Sequence, residues 1–266
     1  MKVYLNEKEI EVDSGISLLD LKKIYNPDAD IYIYNGYHVT EDVKLSENDS
    51  IVFIKKGKIP DKDKLEAMIV ARHTPQVHEK IKNSTVGIAG LGGLGSNVAV
   101  SLTRMGIGKL VLVDYDVVEP SNLNRQEYFI DQLGKYKSEA IKEVLKKINP
   151  YVKYETHNEK VKKNNIKDLF SECDIIVEAF DKPETKAMLI DYVLNNMDKY
   201  IVAASGMAGY ESSNTIKTRE IGKLYICGDE KTEARPGQGL MAPRVSICAN
   251  HQANQVIRLL LGIEEV

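Results

Sequence analysis

Hydrophobic positions follow two different rhythms along this chain. Over residues 1–57 apolar and polar side chains alternate in short runs. That rhythm predicts strands at 3–5 and 10–12 joined by a turn at Asn6-Glu7-Lys8, an amphipathic helix over 17–24 capped by Ser17, and strands at 31–34 and 51–54 joined by a polar connection holding Asn48-Asp49. Residues 58–70 mix charge with a helical start after Pro60 and read as a linker turning into a helix. Beyond residue 85 the apolar runs become continuous, at 86–89, 109–113 and 174–181, and helical periodicity separates them: a helix over 96–105, another opening at Lys137, and a last one over 245–261 carrying Val256, Ile257 and Leu260. Continuous apolar strands alternating with helices predict an α/β fold, a doubly wound, mostly parallel sheet covered on both faces. The expected organisation is a small α+β domain at 1–57, a linker with helices at 58–84 and a larger domain at 85–266.

The run at 86–89 leads into Gly90-Leu-Gly92-Gly93-Leu94-Gly95-Ser96-Asn97. A glycine-rich turn between a strand and a helix lets the backbone approach a phosphate, with the helix-start amides carrying partial positive charge. The bland alternative is a tight turn with no ligand. Asp114 closes the next strand about 20 residues on, where a Rossmann-like unit puts a carboxylate on ribose hydroxyls, and to that point a nicotinamide dehydrogenase fits equally well. Asp116, Asn122, Asn124, Arg125 and Gln126 follow, then Lys137 at the start of a helix. Donors and cations in that number suit a triphosphate better than a dinucleotide.

Composition adds exclusions. With 266 residues the chain accommodates one sizeable domain and a small one. A formal net charge of −3 gives no overall basic character, so nucleic acid is not an expected partner. No apolar stretch approaches the roughly 18 residues of a membrane helix, and the first residues read as a polar strand rather than a signal peptide, so a cytoplasmic protein is expected. Cys173, Cys227 and Cys248 are far apart and form no Cys-x-x-Cys pair, so neither zinc nor disulfides are expected. His73, His78 and His251 read as surface or packing residues, with no Ser-His-Asp arrangement in view.

Taken together, the glycine run at 90–96, Asp114-Tyr-Asp116, Ser121-Asn-Leu-Asn-Arg125-Gln126 and Lys137 resemble the ThiF/MoeB group of adenylating enzymes, bacterial relatives of ubiquitin-activating enzymes, over about residues 70–262. Within the group, the Val118-Glu-Pro-Ser-Asn-Leu-Asn-Arg-Gln126 wording and the short C-terminal part are most similar to thiamine-pathway enzymes that activate a sulfur carrier. The resemblance implies ATP and Mg2+ as cofactors, with Gly90, Gly92, Gly93, Leu94, Gly95, Asp114, Asp116, Asn122, Asn124, Arg125, Gln126 and Lys137 around the nucleotide. It also implies Asp181 on the metal, where the residues alone leave an N-cap open.

A homodimer is implied as well, in which Arg72 reaches the neighbouring subunit's ATP. Pro75 stands where the group has a second arginine. Some relatives carry a cysteine nucleophile in the segment matching 206–243; Cys227 is the candidate, against the reading of an inert strand cysteine. The glycine- and proline-rich stretch 235–243 shapes a groove for a carrier's tail or is a plain loop.

The first 57 residues resemble the β-grasp fold of ubiquitin-like sulfur carriers. A working carrier ends in Gly-Gly, whereas this module runs through Lys55-Lys56-Gly57 into the next domain. It reads as a degenerate, fused carrier-like domain, with the substrate a separate carrier ending in Gly-Gly. A C-terminal carboxylate is already ionised at pH 7, so no general base is needed. What the reaction requires is positive charge, which Lys137, Arg125, the glycine-loop amides and magnesium on Asp181 would supply. Alternatives are the same chemistry on a molybdopterin-type carrier or a peptide, or a non-catalytic nucleotide-binding interaction protein. A nicotinamide oxidoreductase would leave Arg125 and Lys137 without work.

Overall fold

The computed structural model describes residues 1–70 and 75–266, with backbone alone at Ile69, Val70, Pro75 and Gln76. The chain divides into two compact units, Met1–Pro75 and Gln76–Val266.

In the first unit β1 (Lys2–Leu5), β2 (Lys8–Glu11), β3 (Ile31–Tyr34), β4 (Tyr37–Val39) and β5 (Ser50–Ile54) form a sheet of order β2-β1-β5-β3-β4. The central pair β1 and β5 is parallel and the others are antiparallel. Helix α1 (Leu18–Tyr25) is capped by Ser17, whose hydroxyl accepts from the Asp20 amide, and it buries Leu18 and Leu21 against Val3, Ile51 and Phe53. Every element expected from alternation forms here, and β4 is an addition. Asn35 (φ +49) and Gly36 (φ +86) make the tight turn that folds β4 back on β3. Beyond this sheet comes α2 (Lys62–Val70).

The division falls after the first residue of α3 (Pro75–Lys82), and the second unit holds β6 (Thr85–Ala89), α4 (Gly93–Arg104), β7 (Lys109–Val113), α5 (Lys137–Ile148), β8 (Lys153–His157), α6 (Ile166–Phe170), β9 (Ile175–Glu178), α7 (Pro183–Asn196), β10 (Tyr200–Ala204), β11 (Lys217–Ile221), β12 (Leu224–Gly228) and α8 (Ala242–Leu260). Its sheet runs β11-β12-β10-β9-β6-β7-β8, parallel throughout except for the edge strand β11. One apolar cluster packs residues of α4, α5 and α8 on one face, and a second packs α6 and α7 on the other. The doubly wound architecture expected from the continuous apolar runs is the one observed.

Several details differ from expectation, among them α8, which opens at Ala242 rather than at 245. Helix α4 begins at Gly93 rather than at 96, because the glycines lie within its first turn. The run at 174–181 stops being strand at Glu178, so Asp181 lies in the loop beyond it. Strand β11, polar and on the edge, had no apolar signature. The chain leaves β6 toward β7 and β8, then returns to place β9 on the other side of β6. Open α/β sheets bind ligands at the carboxyl ends of strands where the order reverses in this way.

Candidate active site

The loop after β6 occupies that crevice. Gly90 turns with φ +93, and a Cβ there would lie 2.8 Å from the Ala179 carbonyl oxygen beyond β9. Gly95 is squeezed further, since a Cβ would approach the Gly90 carbonyl oxygen to 1.9 Å. At Gly93 a Cβ would meet Val245 Cγ1 at 2.9 Å and Arg125 Cγ at 3.4 Å. Gly92, the N-cap of α4, is different: the nearest atom to its missing Cβ is Gln126 Nε2, 3.9 Å away. Protein packing therefore explains glycine at 90, 93 and 95 but not at 92, where the space at the helix start suits an approaching phosphate. The Leu94 side chain lies in the core, which leaves only its backbone for a ligand.

Asp114 is buried at the end of β7, and its two carboxylate oxygens accept from the amides of Leu91 (2.7 Å) and Asp116 (2.8 Å). It thus ties the glycine loop to the neighbouring strand end, and burial raises its pKa against those two hydrogen bonds. Asp116 is half exposed and lies 3.3 Å from Lys137 Nζ, whose side chain is only 9% exposed. The Lys137 amide donates to the Asp116 carbonyl (2.9 Å), so the lysine opens α5 at a fixed place beside the loop. One long contact to an exposed carboxylate leaves the ammonium ready for an incoming anion.

Between them the segment 117–127 folds over the loop. Asn122 is buried, and its Oδ1 accepts from the Glu119 amide (3.0 Å), which shapes the 3-10 turn Pro120–Asn122, while its Nδ2 lies 3.5 Å from Ser121 Oγ. Arg125 donates through Nη1 to the Ser121 carbonyl (3.1 Å) and Asn124 Oδ1 (2.7 Å). Arg125 Nε and Gln126 Oε1 are buried without a hydrogen-bond partner among the described residues. Burial lowers the Arg125 pKa, yet the guanidinium remains charged. A half-buried guanidinium with an unsatisfied Nε beside an open glycine turn fits a phosphate-bearing ligand. Asn124 Nδ2 donates to the Leu240 carbonyl (3.2 Å), joining this segment to the stretch before α8.

Asp181 is exposed, and the N-cap of α7 is Lys182, so the alternative of Asp181 as that cap does not hold. Among the described residues no group of three His, Cys, Asp or Glu side chains could hold a metal ion. A single carboxylate is still compatible with magnesium, which takes most of its ligands from phosphates and water. The buried acid nearby is Glu178, fully enclosed at the end of β9 and paired with Lys186 Nζ at 2.5 Å. Burial raises its pKa against that pairing. Arg72 and His73 lie outside the described residues.

Beyond β10 and β12 a groove of about 620 Å3 is lined by Gly209, Tyr210, Glu211, Arg235, Gly237 and Gln238. The buried Arg244 fixes one wall, donating to the carbonyls of Glu211 (2.7 Å) and Ser212 (2.9 Å) and pairing with Asp229 at 2.5 Å. Burial opposes ionisation of Asp229, but hydrogen bonds from Thr232, Lys231 and Arg244 outweigh it and hold the carboxyl at about 2. A pKa depressed in the folded state stabilises the fold above the unfolded value near 3.9 and ceases to do so as pH falls toward 2. Acid titration followed by circular dichroism should therefore show an Arg244→Leu variant already destabilised at pH 7, by about 3–5 kcal/mol, with its deficit relative to wild type shrinking below about pH 4.

Over residues 66–266, three quarters of its length, the sequence matches the ThiF family. The chain belongs to the ThiF family. Residues 1–57 match the ThiS-like ubiquitin family. The adenylyltransferase and sulfurtransferase UBA4 of Kluyveromyces lactis is 30% identical over 191 residues, 69% of this chain and 43% of that protein. The Saccharomyces cerevisiae protein of the same name is 29% identical over 192 residues, again 69% of this chain and 43% of the relative. This ThiF-family chain thus spans less than half the length of the curated relatives it matches. Among solved structures, the Escherichia coli tRNA N6-threonylcarbamoyladenosine dehydratase TcdA in complex with ATP shares the fold at TM-score 0.69 and 20% identity, covering 77% of this chain and 97% of that one. Escherichia coli MccB with ATP is 27% identical at TM-score 0.54, over 71% of this chain and 59% of that one.

The cysteines of this ThiF-family chain are all buried. Cys227 points into the core from β12, and burial pushes its thiol up to about 11, with Thr218 Oγ1 at 3.5 Å opposing weakly. Burial likewise pushes Cys173 up to about 12 and raises Cys248. A thiol that is neither exposed nor ionised is a poor nucleophile. A disulfide reagent such as Ellman's should leave the native chain essentially unmodified while titrating three thiols in the unfolded one, and Cys227→Ser should keep its activity. His251 packs with Nδ1 3.3 Å from Thr218 Oγ1, and His78 is buried, which agrees with packing roles.

Proposed function

We propose that this chain uses ATP to adenylate the C-terminal carboxylate of a separate ubiquitin-like sulfur carrier ending in Gly-Gly, releasing pyrophosphate. The observation that carries the reading is the unfilled space at Gly92, bordered by the Gln126 side chain at 3.9 Å, next to Arg125 with its unsatisfied buried Nε. MccB, 27% identical, has been solved with ATP. In this reading the amides at the start of α4 and the Arg125 and Lys137 side chains hold the triphosphate, while Asp114 and Asp116 border the ribose. Asp181 anchors the accompanying magnesium from the protein side, and the ion offsets phosphate charge. The chain's own work is to gather positive charge where an anionic carboxylate must approach an anionic nucleotide.

Gly57 is followed directly by the linker, so the fused ThiS-like module offers no terminal carboxylate of its own and serves structure or docking. Names of the curated relatives join adenylyl transfer with sulfur transfer, which supports a sulfur carrier as substrate. The more specific assignment to thiazole formation in thiamine biosynthesis rests on the wording of residues 118–126. A homodimer belongs to the same proposal: Tyr115, Val117, Phe129, Ile130, Leu133 and Tyr136 form an exposed apolar stretch on the segment that carries Arg125, a surface that a second copy would cover. ATP–pyrophosphate exchange tests the reading. Exchange should appear only when a separate Gly-Gly carrier is added, and exchange by the chain alone would contradict it.

A further inference from the structure

Three segments of the second unit meet at one side-chain amide. Asn97, buried in the second turn of α4, donates through Nδ2 to the carbonyls of Gly93 (2.7 Å) and Arg125 (3.1 Å), and its Oδ1 accepts from Ser246 Oγ (3.0 Å) on α8. Both N–H donors of the amide are used, one on each of the two segments proposed to hold the nucleotide. Ser96 adds a second strap, donating to the Gly92 carbonyl (2.7 Å) and accepting from the Glu127 amide (3.1 Å). By contrast, among the described residues the bonds of the Arg125 guanidinium reach only Ser121 and Asn124. Those bonds orient the guanidinium within its own turn and say nothing about where that turn sits against the glycine loop.

Asparagine is a mediocre helix former, and a polar side chain bonding back to the carbonyl four residues earlier weakens a helix. Nothing local to α4 calls for it at 97. Its second bond, across to the Arg125 carbonyl, does. Resting on the reading of Arg125 as a phosphate ligand, we infer that Asn97 is a positioning residue: it fixes the Arg125 turn against the glycine loop, with Ser246 of α8 orienting the amide.

The experiment compares Asn97→Ala with Ser101→Ala, which removes another hydrogen bond between α4 and α8 (Ser101 Oγ to Asn250 Oδ1, 2.8 Å) without touching the Arg125 turn. Two quantities are measured on the full-length chain. The first is hydrogen exchange at the amides of Arg125 and Gln126, which both donate to the Asn122 carbonyl. The second is calorimetric affinity for Mg·ATP, in wild-type and Arg125→Ala backgrounds.

Asn97→Ala should speed exchange at these two amides about tenfold and weaken ATP binding about tenfold, the scale of losing one such hydrogen bond, while amides of β6 and β9 stay protected. Ser101→Ala should do neither, and Asn97→Ala should cost nothing more once Arg125 is already alanine. Unchanged exchange at Arg125 and Gln126, or an equal loss of affinity with and without Arg125, would overturn the assignment. A wild-type chain that binds no ATP would refute the reading of Arg125, and the exchange data would still decide whether Asn97 holds the turn.

Discussion

Lys137→Ala should lower carrier-dependent ATP–pyrophosphate exchange by about 10²–10³-fold, the scale of removing one preorganised charged donor from a developing anion. Arg125→Ala should do much the same. The reason is positional: Lys137 is fixed at the first residue of α5 by the hydrogen bond its backbone N–H donates to the Asp116 carbonyl, and its ammonium lies 3.3 Å from the half-exposed Asp116 carboxylate and bears on the charge of Asp114. Neither cation supports the fold strongly, so melting temperatures should fall by no more than about 4 °C. Because both act on the same phosphates, the double variant should lose less than the product of the single losses. Near-normal exchange in both single variants would remove them from the site.

Gly92→Ala and Gly95→Ala should fail in opposite ways. The added methyl at 95 would collide with the Gly90 carbonyl oxygen, 1.9 Å from where Cβ must sit. Backbone has to move to relieve that, so Gly95→Ala should destabilise the chain by about 3 kcal/mol or fail to fold. At 92 the first atom the methyl meets among the described residues, its chain neighbours aside, is Gln126 Nε2 at 3.9 Å. Gly92→Ala should stay folded, losing about 1 kcal/mol because alanine is a poor N-cap, and should lose Mg·ATP affinity by at least about tenfold, because the methyl occupies the space a phosphate would use. A Gly92→Ala chain that binds ATP as wild type does would place the nucleotide elsewhere. Thermal melts and titration calorimetry on the two proteins separate these results.

These contrasts show why parts of the molecule could be read from sequence and others not. Strands β6, β7 and β9 are buried on both faces, so each appears as an unbroken apolar run and needs no tertiary knowledge to find. Strand β11 lies at the edge with Lys217, Arg219 and Glu220 exposed, and only its pairing with β12 makes it a strand. Strand β4 is three residues long, and its one signal was the Asn35-Gly36 pair, a hairpin turn in plain view.

The glycine loop announced a phosphate cradle, but which glycine serves packing and which leaves room depends on Ala179, Val245 and Arg125, brought in from distant parts of the chain. Polar side chains were the least legible. Asn122 reads as a ligand and its Oδ1 also accepts from the Glu119 amide within its own turn, whereas Asn97 reads as a helix start and its Nδ2 donates to the Arg125 carbonyl. Both have the same amide; only the partners differ, and those are set by the fold. Glu178 went unnoticed because a carboxylate at the end of an apolar run reads as the strand's exit, while its burial depends on Lys186 reaching it from α7.

The claim that this chain transfers AMP to a carrier's terminal carboxylate is tested most directly by intact-mass spectrometry. The purified chain is incubated with Mg·ATP and a separate ubiquitin-like protein ending in Gly-Gly. The carrier should gain the mass of one adenylyl group, and a carrier lacking the last glycine should gain none. An unmodified carrier under conditions where the chain demonstrably binds ATP, or an adenylyl group found instead on a fragment of this chain ending near Gly57, would contradict the account.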